Sequence, residues 1–161
     1  MNAKFAVPAF LLACFVGIRY AYIHGYPPFT SQFVKTCEVA TKDRLADPSL
    51  YQRIAVEESR KTISWDEFFA EPARAVSKDV QEAMIRSARV PPVQYIAVID
   101  YQGQDAVGAV MRERATCTFN SLQGDDAPTR TYWVKVDGEY NIAWVKRQPN
   151  PGTFLKRVIE H

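Results

Sequence analysis

The stretch Val93–Asn120 constrains this chain more than any other. Val93–Tyr101 is dominated by Val93, Tyr95, Ile96, Val98, Ile99 and Tyr101, the β-branched and aromatic residues of a strand with little free surface. Gln102-Gly103-Gln104-Asp105 follows as a turn signal. From Val107 to Asn120 the residues then alternate: Ala109, Met111, Ala115, Cys117 and Phe119 face one way, and Val110, Arg112, Arg114, Thr116 and Thr118 the other. A period of two gives one buried and one wet face. Glu113 alone falls on the apolar side. A chain with this centre is a β-hairpin covered by other elements.

At 161 residues the chain has room for one domain with its own core. Hydrophobic residues at 47% and charged residues at 24% are ordinary globular values and argue against wholesale disorder. The formal charge of +2 sits entirely in residues 1–25, where Lys4 and Arg19 stand without an acid. Without those two of the 20 basic residues, the rest of the chain balances its 18 acidic ones. A neutral domain lacks the excess of cations that dominates nucleic-acid affinity, which argues against a nucleic-acid partner.

After the basic start, residues 5–23 are apolar apart from Arg19, close to the roughly 20 needed to cross a hydrocarbon core. Arg19 can snorkel, and Tyr20 and Tyr22 suit a membrane interface. The reading adopted is an uncleaved signal anchor that tethers the chain to the inner membrane, with the domain facing the periplasm. A cleaved signal peptide would leave it periplasmic or secreted instead. A lipoprotein signal is suggested by Leu11-Leu12-Ala13-Cys14, and a buried core helix is the remaining alternative. Residues 1–25 are therefore set apart from a single domain, 26–161.

His24–Pro28 reads as a stiff linker, and Thr30 or Ser31 can cap a helix over Gln32–Ala46. Phe33, Val34, Cys37, Ala40 and Leu45 make its apolar stripe, with Lys35, Glu38, Lys42 and Asp43 outside. Asp47-Pro48 ends it. Arg53–Glu58 predicts a short strand with Ile54 and Val56, Ser59-Arg60-Lys61 a turn, and Thr62–Phe69 either strand or helix. Beyond the Glu71-Pro72 break, Ser77 can cap a helix over Lys78–Arg89 that buries Val80, Ala83, Met84 and Ala88. Arg130–Val136 alternates again, Asp137-Gly138 signals a hairpin, and Tyr140–Lys146 reads as a last strand with Ile142 and Trp144 inward. The fold class is α+β: an antiparallel meander of about four strands packed against an N-terminal helix, preceded by a transmembrane or signal segment.

Two motifs and their order carry a resemblance. Cys37-x7-Leu45-x-Asp47-Pro48, followed by Arg114-Ala115-Thr116-Cys117-Thr118-Phe119, resembles small exported or membrane-tethered domains of Gram-negative bacteria. In these a first-helix cysteine and a CTF or CTV strand recur around a helix-plus-meander fold. The likeness covers roughly Phe33–Val145 and implies no assigned activity. The chain departs from it at Asp105-Ala106-Val107-Gly108, where an Asn-aromatic-Gly step is the pattern, and by the additional Lys78–Arg89 helix.

Candidate chemistry is sparse. The two histidines, His24 and His161, lie outside the predicted domain elements, and no Gly-rich phosphate loop, CxxC or metal-ligand spacing occurs, so no cofactor or metal is implied. Asp66-Glu67 beside Trp65 can be drawn as an acid/base pair, but solvated charge is the simpler reading, as it is for Asp125-Asp126. Trp65, Trp133 and Trp144 read as core or core-edge residues. Arg112 and Arg114 share one strand face, and Lys135 joins them if the next strand pairs in register, which makes a candidate site for a phosphate or carboxylate. Ordinary paired charge on a solvated face is the alternative.

Of the three cysteines, Cys14 falls in the apolar segment. Cys37 lies on the stripe of the first helix and Cys117 on the apolar face of the central strand, so a helix packed on that face brings them together. A Cys37–Cys117 disulfide is expected, with two independent buried thiols as the alternative. The composite expectation is a non-enzymatic, membrane-tethered envelope module acting through a protein partner or envelope component. A periplasmic hydrolase or transferase using carboxylates alone is the alternative.

Overall fold

A computed structural model of the chain describes residues 30–71, 75–104, 107–122 and 130–152. By its contacts the chain divides between Ser31 and Gln32, and the second unit, Gln32–His161, holds the elements that follow. The segment 5–23, Cys14, both histidines and Asp125-Asp126 lie outside the described residues. Among those described, no helix is long and apolar enough to cross a membrane.

In chain order the elements are α1 (Gln32–Lys42), β1 (Gln52–Thr62), α2 (Trp65–Phe69), α3 (Lys78–Ser87), β2 (Val93–Gln104), β3 (Val110–Ser121), β4 (Lys135–Val136), β5 (Glu139–Tyr140) and α4 (Asn141–Lys146). The strands form one five-stranded sheet in sequence order, every neighbouring pair antiparallel. The class is α+β, a meander with an N-terminal helix.

Alternation in β2 and β3 produces the core. Register sets Tyr95 against Phe119, Ala97 against Cys117 and Ile99 against Ala115, so the apolar residues of both strands share one face. Onto that face α1 lays Phe33, Val34, Cys37 and Ala40, and Val134 and Val136 close the far side. Phe33 meets Tyr95 with ring centroids 5.6 Å apart. Gly103 is buried where a Cβ would stand 3.4 Å from the Leu45 methyls, so the backbone approaches Leu45 closely. Glu113, on the apolar side by parity, sits near the start of β3 at the margin of the core, opposite Tyr101, whose hydroxyl donates to its carboxylate at 2.7 Å.

The expected disulfide is present. Cys37 and Cys117 are fully buried and bonded, with Cα atoms 5.9 Å apart, inside the ordinary range for such bridges. It joins the middle of α1 to the middle of β3, across the centre of the core.

Helix α1 stops at Lys42 rather than Ala46, because Arg44 and Leu45 donate to carbonyls three residues back and tighten the chain out of the α ladder. Asp43, expected outside, is buried. Strand β1 runs on through Ser59-Arg60-Lys61, whose composition predicts a turn, because its whole length is paired with β2. A bulge between Arg53 and Ala55 leaves Ile54 unpaired and 45% exposed. Thr62–Phe69 resolves into the end of β1 and helix α2, capped by Ser64, whose hydroxyl accepts from the Glu67 amide.

Helix α3 forms where expected, ending at Ser87, but buries nothing: Val80 is 44% exposed. Arg130–Val136 is a 3-10 turn at Thr131–Trp133 followed by only two residues of strand, with Trp133 exposed. Tyr140–Lys146 is a helix after Tyr140, and Asn141 and Val145, one turn apart, are its buried residues rather than Ile142 and Trp144. The Asp137-Gly138 turn has positive φ at both residues, 52° and 81°, as a tight hairpin with short arms requires. The Asp137 carboxylate accepts from the Thr116 amide at 2.8 Å and pins that turn to β3.

Candidate functional site

The sheet face away from α1 carries the basic residues singled out in the sequence. Arg112 and Arg114 line a depression of about 460 Å³ with Ile54, Asp100 and Glu113. Arg114 is committed there. Its Nε donates to Asp100 Oδ1 at 2.6 Å and its NH2 group to Oδ2 at 3.0 Å, a forked pair across β2 and β3. The hydrogen bond from Arg114 lowers the Asp100 pKa, and the same bond raises that of Arg114. Both arginines therefore share their depression with two carboxylates.

Lys135 is placed apart from them. It pairs in register with Thr118, four residues along β3 from Arg114, about 14 Å at the usual rise of a strand. There its amine lies 2.5 Å from Glu71 Oε1, while the Tyr140 hydroxyl donates to Oε2 at 2.6 Å. The amine also sits 4.8 Å from the centre of the Tyr140 ring. Glu71 follows α2, so this knot fastens the chain after α2 to β4 and β5. The sequence marked Glu71-Pro72 only as a break. A carboxylate and an amine 64 residues apart carry no local signal that they meet.

A second knot ties α1 to the start of β1. Glu38 accepts from the Tyr51 hydroxyl at 2.9 Å and from Arg53 at 3.3 Å, and Lys42 lies over the Tyr51 ring. Burial, then the Glu38 carboxylate, pushes the Tyr51 phenol far above its ordinary range. Burial, then Glu113, does the same at Tyr101, whose ring stacks on Tyr51. The pH dependence follows. As pH rises past about 10, the unfolded chain gives up these protons while the folded chain keeps them, so the unfolded state binds fewer and stability falls. Denaturant midpoints measured from pH 8 to 12 should hold to about pH 10 and then drop, and the drop should be shallower in Tyr51→Phe.

Arg44 ties the chain after α1 to the β4–β5 hairpin. Its guanidinium donates to the Val136 and Glu139 carbonyls at 2.9 and 3.1 Å and lies over Trp144. Asp66 and Glu67 stand exposed in the first turn of α2, and Glu67 meets Lys61 at 3.4 Å. Trp65 stacks on Phe69 and contacts Phe68, which is fully buried. Among the described residues no cluster of three or more His, Cys, Asp or Glu is arranged to hold a metal. A separate depression of about 550 Å³ is lined by Met84, Ser87, Ala88, Arg89, Val90 and Leu122.

These arrangements define a disulfide-fastened α+β domain whose charged residues form structural knots at several points. In comparisons with family models, curated proteins and solved structures, nothing matches the chain.

The arginines of the open face yield a direct prediction. The Arg112→Ser/Arg114→Ser variant should keep its fold, with a melting temperature within about 2 °C of the parent, because exposed ion pairs contribute little. Titration with inorganic phosphate, followed by calorimetry, should show weakened binding if the depression holds anions.

Proposed function

We propose that the domain is a non-enzymatic envelope module, tethered to the inner membrane through residues 5–23 and acting outside it by contact with a protein partner or envelope component. The observation that carries this reading is the Cys37–Cys117 bond at the centre of the core. A bond so placed must form as the protein folds, and such bonds persist in oxidising compartments such as the periplasm. It also takes both sulfurs out of nucleophilic chemistry. The basic start and apolar stretch of residues 5–23 supply the export signal and the tether.

The alternative, a carboxylate-based enzyme, needs two facing carboxylates left to work on a substrate. Asp100 and Glu113 line one depression together, but Asp100 is held by Arg114 and Glu113 by Tyr101. That arrangement favours the binding module. Fractionation of cells expressing the full chain tests the reading. The protein is expected in the membrane fraction and degraded by external protease in spheroplasts but not in intact cells. Protein found in the cytosol and shielded from protease in spheroplasts would overturn it.

A further inference from the structure

We propose that β1 is a self-association edge, through which two copies of this chain pair antiparallel about Ser59. β1 is the outermost strand of the sheet, and its inner side is paired with β2 from Gln52↔Gln102 to Thr62↔Val93. Among the described residues no strand pairs with its outer side, and the outer side of an end strand is where the backbone of another strand can add. Edge strands are usually protected by being short, by proline, or by a bulge that twists them away. β1 is 11 residues long, holds no proline or glycine, and has its bulge confined to Arg53/Ala55 at one end. The stretch from Val56 to Thr62 is regular, and every residue from Glu57 to Thr62 is exposed.

The order of charge in that stretch selects the partner. Glu57-Glu58-Ser59-Arg60-Lys61 reads acid, acid, hydroxyl, base, base. In an antiparallel pair, residues directly opposite share a face and interact. Centred on Ser59, the pairing sets Glu58 of each copy opposite Arg60 of the other, and Glu57 opposite Lys61. The two-fold axis repeats each pair, so every charge in the stretch meets its opposite. An axis normal to the sheet must pass at a residue, which restricts the alternatives. A centre one residue earlier sets Glu58 against Glu58, and one residue later Arg60 against Arg60. The charges that block indiscriminate edge pairing thus permit one register with a second copy of the same strand. Glu58 and Arg60 share the α1 face, being paired with Ala97 and Tyr95, so both α1 helices would lie on one side of a sheet continuous across the axis. Lys61 now meets Glu67 only at 3.4 Å, with both side chains about half exposed (53% and 49%), and is available for exchange.

The test is a charge swap in the full chain, in mild detergent, read by sedimentation at low salt. The parent should dimerise. Glu58→Arg, which would set arginine against Arg60, should weaken the dimer at least about tenfold, and Glu58→Arg/Arg60→Glu should restore it. With Cys14 replaced by serine, Ser59→Cys should crosslink between copies on oxidation, whereas Glu57→Cys should not, because residue 57 faces 61. A parent that stays monomeric, a dimer indifferent to Glu58→Arg, or equal crosslinking at 57 and 59 would each overturn the proposal.

Discussion

Replacing both Cys37 and Cys117 with alanine is expected to lower the stability of the domain by about 4 kcal/mol. The bond closes a loop with a sequence separation of 80, and removing it returns the entropy of that loop to the unfolded chain. For a domain of this size the loss corresponds to a melting temperature lower by about 15 °C. Two small voids in the core, where the sulfurs are fully buried, add to the loss. Thermal melts of parent and variant under identical salt and pH check the figure. The expected effect includes looser docking of α1, since the bond is its central attachment to β3.

Phe33→Ala should cost a comparable amount, about 4 kcal/mol, the ordinary range for removing a fully enclosed aromatic ring. Phe33 is buried between α1 and β2 against Tyr95. The contrast is Val80→Ala in α3, expected to change stability by no more than about 0.5 kcal/mol because the side chain is already largely in water. Both helices show an apolar stripe in the sequence. Only α1 buries its stripe, whereas α3 buries none of its residues, and paired chemical denaturation of the two variants reads that difference directly.

That pair also shows what the sequence conveys and what it leaves out. The centre of the sheet was legible because β2 and β3 bury one face, and a buried face forces a period of two on residues such as Tyr95, Ala97 and Ile99. The disulfide was legible for the same reason: helix and strand periodicity independently put Cys37 and Cys117 on core-facing positions. Helix α3 shows the limit, since amphipathic spacing identifies a helix but not a neighbour to cover it. In β1 the polar run Ser59-Arg60-Lys61 looks like a turn, yet β2 offers partners along the whole edge and pairing overrides composition. In α4 only six residues follow the hairpin, too few for alternation and helical spacing to be told apart. At the candidate site, strand parity correctly placed Arg112 and Arg114 together. It gave no account of where Lys135 falls along β3, nor of the Glu71 carboxylate that receives it, because both depend on register and on long-range folding.

Export and the disulfide are tested together by the redox state of the cysteines in the protein as cells make it. Thiols are trapped by acid and alkylated before and after reduction, and the labelled positions are read by peptide mass spectrometry. No label is expected at Cys37 or Cys117 before reduction, and full label at both afterwards. Label at both positions before reduction would show that the chain folds in a reducing compartment, and would contradict the export on which the proposed function rests.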